Sequence, residues 1–179
     1  MRIAISGSHR TGKSTLVAAL AEHLPRYENV DEPYHSMEED GHEFSHPPSV
    51  DDFVAQLERS LAEMSRGSGD VLFDRSPLDF LAYIQTHEEA DSFDTDEWLP
   101  GIRNAVESLD FVVFVPVEAR DRIRFSAPDD ETRTRTAVNE ALREMLVDDA
   151  LELGVEVLEV EGDVESRVRQ VLRRIAEPR

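Results

Sequence analysis

Eight consecutive residues, Gly7-Ser8-His9-Arg10-Thr11-Gly12-Lys13-Ser14, carry the most specific chemistry in the chain. Glycines at the first and sixth positions let the backbone curl until successive N–H groups face one anion. A helix leaving such a turn adds its positive N-terminal dipole, and together these features grip a polyphosphate. The candidate phosphate-binding residues are therefore Gly7, Ser8, His9, Arg10, Thr11, Gly12, Lys13, Ser14 and Thr15. In this pattern the Lys13 ammonium reaches the β- and γ-phosphates and the Ser14 hydroxyl holds Mg²⁺. Lys13 is also the only lysine, since the other 18 of the 19 basic residues are arginine.

Two carboxylates are candidates for the other half of a transfer reaction. Glu32 follows the strand-like Tyr27-Glu28-Asn29-Val30-Asp31, where Pro33 is expected to stop strand pairing. Asp74 and Arg75 end the apolar run Val71-Leu72-Phe73, and Pro77 then favours the first turn of a helix. Carboxylates at the carboxyl ends of strands lie on the edge where open α/β sheets place their ligands. Asp74 there can bind Mg²⁺ or accept a proton, and Arg75 can hold an acceptor's anionic or hydroxyl group. Glu32 or Asp74 can serve as the base, and the residues alone leave that choice open. A further arginine-dense stretch holds Arg120, Arg122, Arg124, Arg133 and Arg135. Arginines on a segment that closes over a phosphoryl group stabilise its developing charge.

The elements that must position these groups alternate. Strands are expected at Met1–Ser6, 27–31, 70–74, at the continuous apolar run 110–116, and at 155–160. Helices are expected from Thr15, from a cap at Ser49, from Pro77, near 98–109, from about Ala137 and from a cap at Gly162-Asp163. Pro100 is expected to bend or delay its helix. Residues 34–48 read as an irregular, functional loop covering a substrate. Its His35, His42 and His46 are spaced seven and four apart, which matches no common zinc pattern. Strand–helix alternation with right-handed crossovers implies an α/β three-layer sandwich, a five-stranded parallel sheet with helices on both faces.

At 179 residues and 40% hydrophobic, one domain spanning 1–179 is the expectation. The net charge of −20 opposes a phosphate backbone, so nucleic acid is not an expected partner. No run approaches the roughly 20 apolar residues of a membrane span, which excludes a membrane-embedded role. The start reads as a core strand rather than an export signal and there is no cysteine, so cytoplasm is the expected compartment.

In element order and in three motifs the sequence resembles the P-loop kinases of the deoxynucleoside and thymidylate kinase group. It is most similar to the nicotinamide-riboside-kinase-like ATPases carrying an AAA-domain label. Gly7 to Ser14 matches the ATP loop, Glu32-Pro33 resembles the Glu-Pro pair that contacts the acceptor hydroxyl, and Asp74-Arg75-Ser76 resembles the Glu/Asp-Arg-Ser signature. Arg120 to Arg124 sits where the lid arginines of that group begin. The lid motif Asp-Gly-x-Arg is represented by Asp130-Glu131-Thr132-Arg133, without its glycine.

The resemblance implies ATP and Mg²⁺ as cofactors, a lid at about 118–136 with Arg120, Arg124 and Arg133, and acceptor-side regions at about 33–60 and 74–105. The implied activity is ATP-dependent phosphorylation of a small metabolite, a nucleoside or nucleotide, with a homodimer as one assembly open to the fold. The alternative is an ATP-dependent regulatory switch. A GTP-reading switch is disfavoured, because its base-recognition motif needs a lysine and the only one stands at position 13.

Overall fold

The computed structural model describes residues 1–67, 69–118 and 130–177, with only the backbone of Asp130 and Glu131. Five strands, β1 (Arg2–Ser6), β2 (Glu28–Val30), β3 (Val71–Asp74), β4 (Phe111–Phe114) and β5 (Val157–Glu159), form one parallel sheet in the order β2-β3-β1-β4-β5. Seven helices connect and flank them: α1 (Lys13–His23), α2 (Pro33–Glu39), α3 (Val50–Met64), α4 (Pro77–Gln85), α5 (Thr95–Glu107), α6 (Asp130–Leu146) and α7 (Val164–Ala176). This is the P-loop three-layer fold, with β1 at the centre of the sheet.

Side-chain alternation along the strands separates two cores. Ile3, Ile5, Leu72, Phe111 and Val113 point to one face, where Leu16 and Leu20 of α1 and Val168 and Val171 of α7 cover them. Ala4, Phe73, Val112 and Phe114 point to the other, under α3, α4, α5 and α6. Register aligns Ile5 with Asp74 and with Val113, so the carboxyl ends of β1, β3 and β4 finish level. That common edge is where the loops after β1 and β3 meet.

Local chemistry sets the helix starts. Ser49 caps α3 in a capping box with Asp52, and Asp163 caps α7 through the Ser166 N–H. At α4 the box is Ser76 with Asp79, and Pro77 stands in the first turn; every residue from Pro77 to Ile84 is buried. Helix α5 runs from Thr95 through Pro100 to Glu107, so the proline neither delays its start nor ends it. Its Trp98 stacks on Phe93 at 5.7 Å and serves the core.

The stretch 34–48 departs from expectation. Pro33 begins a seven-residue helix, α2, instead of merely ending a strand, because its fixed φ suits a first helical turn. Helix α1 likewise starts at Lys13, two residues before Thr15, which brings the Lys13 and Ser14 N–H groups into its first turn.

Candidate active site

The loop between β1 and α1 is shaped by close contact as well as by conformation. A Cβ on Gly7 would sit 2.4 Å from the Val115 carbonyl oxygen, so only glycine fits there. Gly12 adopts φ 89° at the start of α1, again a glycine conformation. No side chain caps α1 and its first turn holds no acidic residue. Its first N–H groups therefore stay available, since a helix provides no internal acceptor for them.

The carbonyls of Gly7, Ser8, His9, Arg10 and Thr11, by contrast, are engaged by cations or hydroxyls. Arg75 Nη1 donates to Gly7 O at 3.2 Å, and Lys13 Nζ and Thr11 Oγ1 donate to Ser8 O at 2.8 and 3.0 Å. Arg135 Nε donates to His9 O at 3.0 Å, and Arg167 Nη1 to Thr11 O at 2.7 Å. Holding carbonyls from outside turns the amides of the following residues inward, which is the polarity an anion site needs. Two amides earlier in the loop are committed as anchors: Gly7 N–H donates to Asp79 Oδ1 at 2.9 Å and His9 N–H to Tyr83 Oη at 2.9 Å.

Asp79 is the hidden centre of this arrangement. Fully buried, its Oδ1 accepts from Gly7 N–H and Arg75 Nη1, and its Oδ2 accepts from the Ser76 N–H and hydroxyl. One carboxylate thus fastens the phosphate loop to the start of α4. Arg75 completes the knot from an unusual backbone, φ 90°, and its Nε donates to Glu32 Oε1 at 2.5 Å. Strain of that kind persists where surrounding contacts over-determine it. Arg75 is therefore already held by Glu32, Asp79 and Gly7 O, and its guanidinium positions the site's own groups.

Charge and burial tune the titrating groups. Burial is the main reason the Lys13 pKa falls from 10.5 to about 8, with Arg75 adding to the fall and Asp79, Glu32 and Asp74 opposing it. His9 falls to about 4 through burial and then through Arg75, Arg135, Lys13 and Arg10, so its ring is neutral near pH 7. Glu32 is pushed up by burial, but the Arg75 charge and hydrogen bond and the Lys13 charge outweigh it and hold the pKa below the ordinary value. Asp74 moves the other way: burial raises it, and the nearby Ser14 hydroxyl only partly offsets this.

His9, Lys13 and Glu32 share a cleft of about 340 Å³ that Arg10, Ser14 and Tyr34 also line. A larger hollow of about 630 Å³ lies at the opposite end of the strands, around Arg2, Met64 and Asp110, away from the loops after β1 and β3. Volume therefore does not identify the site. Asp74 Oδ1 is buried without a hydrogen-bond partner. A buried carboxylate oxygen left open beside a serine hydroxyl fits a hard cation such as Mg²⁺, which keeps most of its waters and takes few protein ligands. Among the described residues no three His, Cys, Asp or Glu side chains cluster as a metal site, and no helix is long and apolar enough to cross a membrane.

The loop residues 7–15, Glu32, Asp74 and Arg75 thus lie together in or beside the cleft. Arg120 and Arg124 fall outside the described residues, as does most of the expected lid. Arg133 is exposed on α6, whereas Arg135, two residues on and 5% exposed, reaches the loop. Asp79, Tyr83 and Arg167 are the participants that local sequence reading passed over, while Arg135, named there within the arginine-dense stretch, holds the loop's backbone at His9 O. Only Asp79 had a local signal, the capping spacing Ser76-Pro77-Leu78-Asp79.

Known structures with this fold include deoxyadenosine kinase from M. mycoides with bound dATP, at TM-score 0.63 and 18% identity, covering 99% of this chain and 100% of that one. NadR in complex with NAD and AMP-PNP matches at TM-score 0.69 and 18% identity over 99% of this chain, which spans 50% of the NadR chain. Thymidylate kinase from Candida albicans matches at TM-score 0.60 and 16% identity, covering 97% and 90% of the two chains. No curated protein sequence matches the chain. The family model described as an AAA domain matches residues 2–167, and the chain belongs to that AAA-domain family.

Proposed function

We propose that the protein is an ATP-dependent phosphotransferase acting on a small hydroxyl-bearing metabolite of nucleoside or nucleotide type. The observation that carries this reading is the meeting of opposite chemistries in one cleft. The uncapped start of α1 and Lys13 offer an anion site, and Glu32 stands within electrostatic reach of Lys13. A switch needs only the first half of that arrangement.

In the proposed reaction the loop amides and Lys13 hold the β- and γ-phosphates of ATP. The acceptor oxygen bonds to the γ-phosphorus as the bond between that phosphorus and the ADP oxygen breaks. The acceptor's proton passes to Glu32. Glu32 suits this role because its depressed pKa keeps it ionised, and its Oε1 is fixed by Arg75. Its Oε2, without a donor among the described residues, is the oxygen left for the acceptor hydroxyl. A weakly basic carboxylate suffices, since a loose phosphoryl transition state asks mainly for positioning and charge stabilisation. Mg²⁺ would be held by Ser14 and Asp74 and would supply charge neutralisation on the transferring phosphates.

The test is ADP release with ATP and Mg²⁺ against a panel of nucleosides, nucleotides and sugars. A kinase shows release stimulated by one class of acceptor. Slow hydrolysis indifferent to every acceptor would replace this reading with the regulatory switch.

A further inference from the structure

With β1 central, the carboxyl ends of β2 and β3 carry Glu32 and Asp74 to one side of the phosphate loop, and β4 and β5 end on the other. On that second side three segments meet: the exit of β4, the turn between β5 and α7, and the first turn of α7. The exit of β4 runs along the loop. Val115 N–H donates to Ser6 O at 2.8 Å, and Val117 N–H donates to Asn139 Oδ1 of α6 at 2.7 Å. That fixed stem delivers Glu118.

Glu118 Oε1 accepts twice, from Gly162 N–H in the turn before α7 at 2.8 Å and from Arg167 Nη2 at 2.8 Å. Arg167 closes the first turn of α7: its own N–H donates to Asp163 O at 3.0 Å, and the Asp163 side chain caps the helix. Its other terminal nitrogen, Nη1, donates to Thr11 O at 2.7 Å. The Arg167 side chain is 11% exposed, so these bonds are largely shielded from salt. One planar fork thus spans Glu118 and the phosphate loop, a geometry that an ammonium on a flexible stem does not reproduce.

The consequence falls on the next amide. The Thr11 carbonyl and the Gly12 N–H share one peptide plane, and in a trans peptide they point in opposite directions. A guanidinium that draws Thr11 O outward therefore aims Gly12 N–H into the loop, where it has no acceptor among the described residues. Gly12 also lies against that guanidinium, since a Cβ there would stand 3.3 Å from Nη1. The peptide so fixed leads directly into Lys13 and Ser14.

We infer that Arg167 and Glu118 are positioning residues for the nucleotide. Glu118 orients Arg167, and Arg167 fixes the Thr11–Gly12 peptide so that Gly12 N–H meets the phosphate tail. Both act through the loop's backbone rather than on the phosphates themselves. This rests on the ATP-binding half of the phosphotransferase reading and is independent of the acceptor.

The test is calorimetric titration with ATP and Mg²⁺, set beside adenosine, which lacks the phosphate tail. Wild type is compared with Arg167→Ala, Glu118→Ala, the double variant, Arg167→Lys and Arg169→Ala. Arg169, 67% exposed on the same helix, controls for the loss of one positive charge. Arg167→Ala and Glu118→Ala should each weaken ATP binding about 10-fold, at the low end of the value of one charge-assisted hydrogen bond, and leave adenosine unchanged. The double variant should bind ATP no more weakly than Arg167→Ala, because Glu118 acts only through the guanidinium. Arg167→Lys should stay at least about 3-fold weaker than wild type, and Arg169→Ala should match it. Single losses that multiply in the double variant would overturn the relay from Glu118. Wild-type ATP affinity in Arg167→Ala or Arg167→Lys, or a loss shared equally by adenosine, would overturn the positioning role. If Arg167→Ala does not fold, Arg167→Lys and Glu118→Ala, the latter at a partly exposed position, decide the matter by the same comparison. A wild type that does not bind ATP removes the nucleotide reading itself.

Discussion

Replacing Lys13 with methionine should make the nucleotide-free protein more stable while destroying its grip on ATP. The fall of the Lys13 pKa from 10.5 to about 8 corresponds to about 3 kcal/mol of destabilisation in holding the ammonium charged at neutral pH. Methionine keeps the length of the stem and removes the charge. It forfeits the hydrogen bond to Ser8 O, worth about 1 kcal/mol, and Thr11 Oγ1 still satisfies that carbonyl. The expected net gain is about 1–2 kcal/mol, a rise of roughly 2–8 °C in Tm for a chain of this size.

The sign follows from proton binding. Between pH 8 and 10.5 the unfolded chain keeps the lysine proton and the native protein releases it, so wild-type stability should rise with pH across that window. Lys13→Met should lack that rise. With the ammonium gone, ATP affinity should drop about 10- to 150-fold, the value of a charged hydrogen bond to phosphate. Thermal melts from pH 7 to 10.5 and calorimetric titration with ATP read both effects. A variant that melts lower than wild type at pH 7, or binds ATP equally well, would refute the placement of Lys13 as a buried cation awaiting phosphate.

Four other outcomes are expected. Asp79→Asn should destabilise the fold by about 3–5 kcal/mol in denaturant titration, because it leaves buried Arg75 without one of its two carboxylates and weakens the tie to Gly7 N–H. Glu32→Gln should lower kcat by about 10²- to 10⁴-fold with little change in ATP affinity, read by steady-state kinetics and titration. Arg135→Ala should raise the KM for ATP through loss of its hold on His9 O, while the exposed neighbour Arg133→Ala should leave that KM near wild type. His9 is neutral in the native state with a pKa of about 4, so the unfolded chain takes up the proton first. Its contribution should be lost as pH falls from 6.5 towards 4, and His9→Phe should flatten that part of the stability profile.

What the sequence discloses and what it conceals divide by distance along the chain. The phosphate loop is legible because its glycines, lysine and serine are neighbours whose spacing alone dictates the turn. Glu32 and Asp74 are legible because a strand-like run ends at each, and parallel strands bring those ends to one edge. Arg135 and Arg167 are not, because they arrive from helices 126 and 156 residues beyond the carbonyls they hold. An arginine-dense stretch does not disclose which guanidinium turns inward: Arg133 and Arg135 are equivalent in composition and differ by about 200° around the helix. Tyr83 reads as one more apolar position of a buried helix until its hydroxyl is found on His9 N–H. Helix α2 is seven residues long, too short for a periodic pattern, and only Pro33 at its first position announces it.

The central claim is that main-chain amides at the start of α1, with Lys13 beside them, bind the tail of a nucleotide. Titration with a non-hydrolysable ATP analogue in the presence of Mg²⁺, set beside adenosine alone, tests it most directly. The account predicts binding of the analogue at least about 100-fold tighter than of adenosine, since the phosphates supply the handle. Equal affinity for the two, or no binding of the analogue, would contradict it.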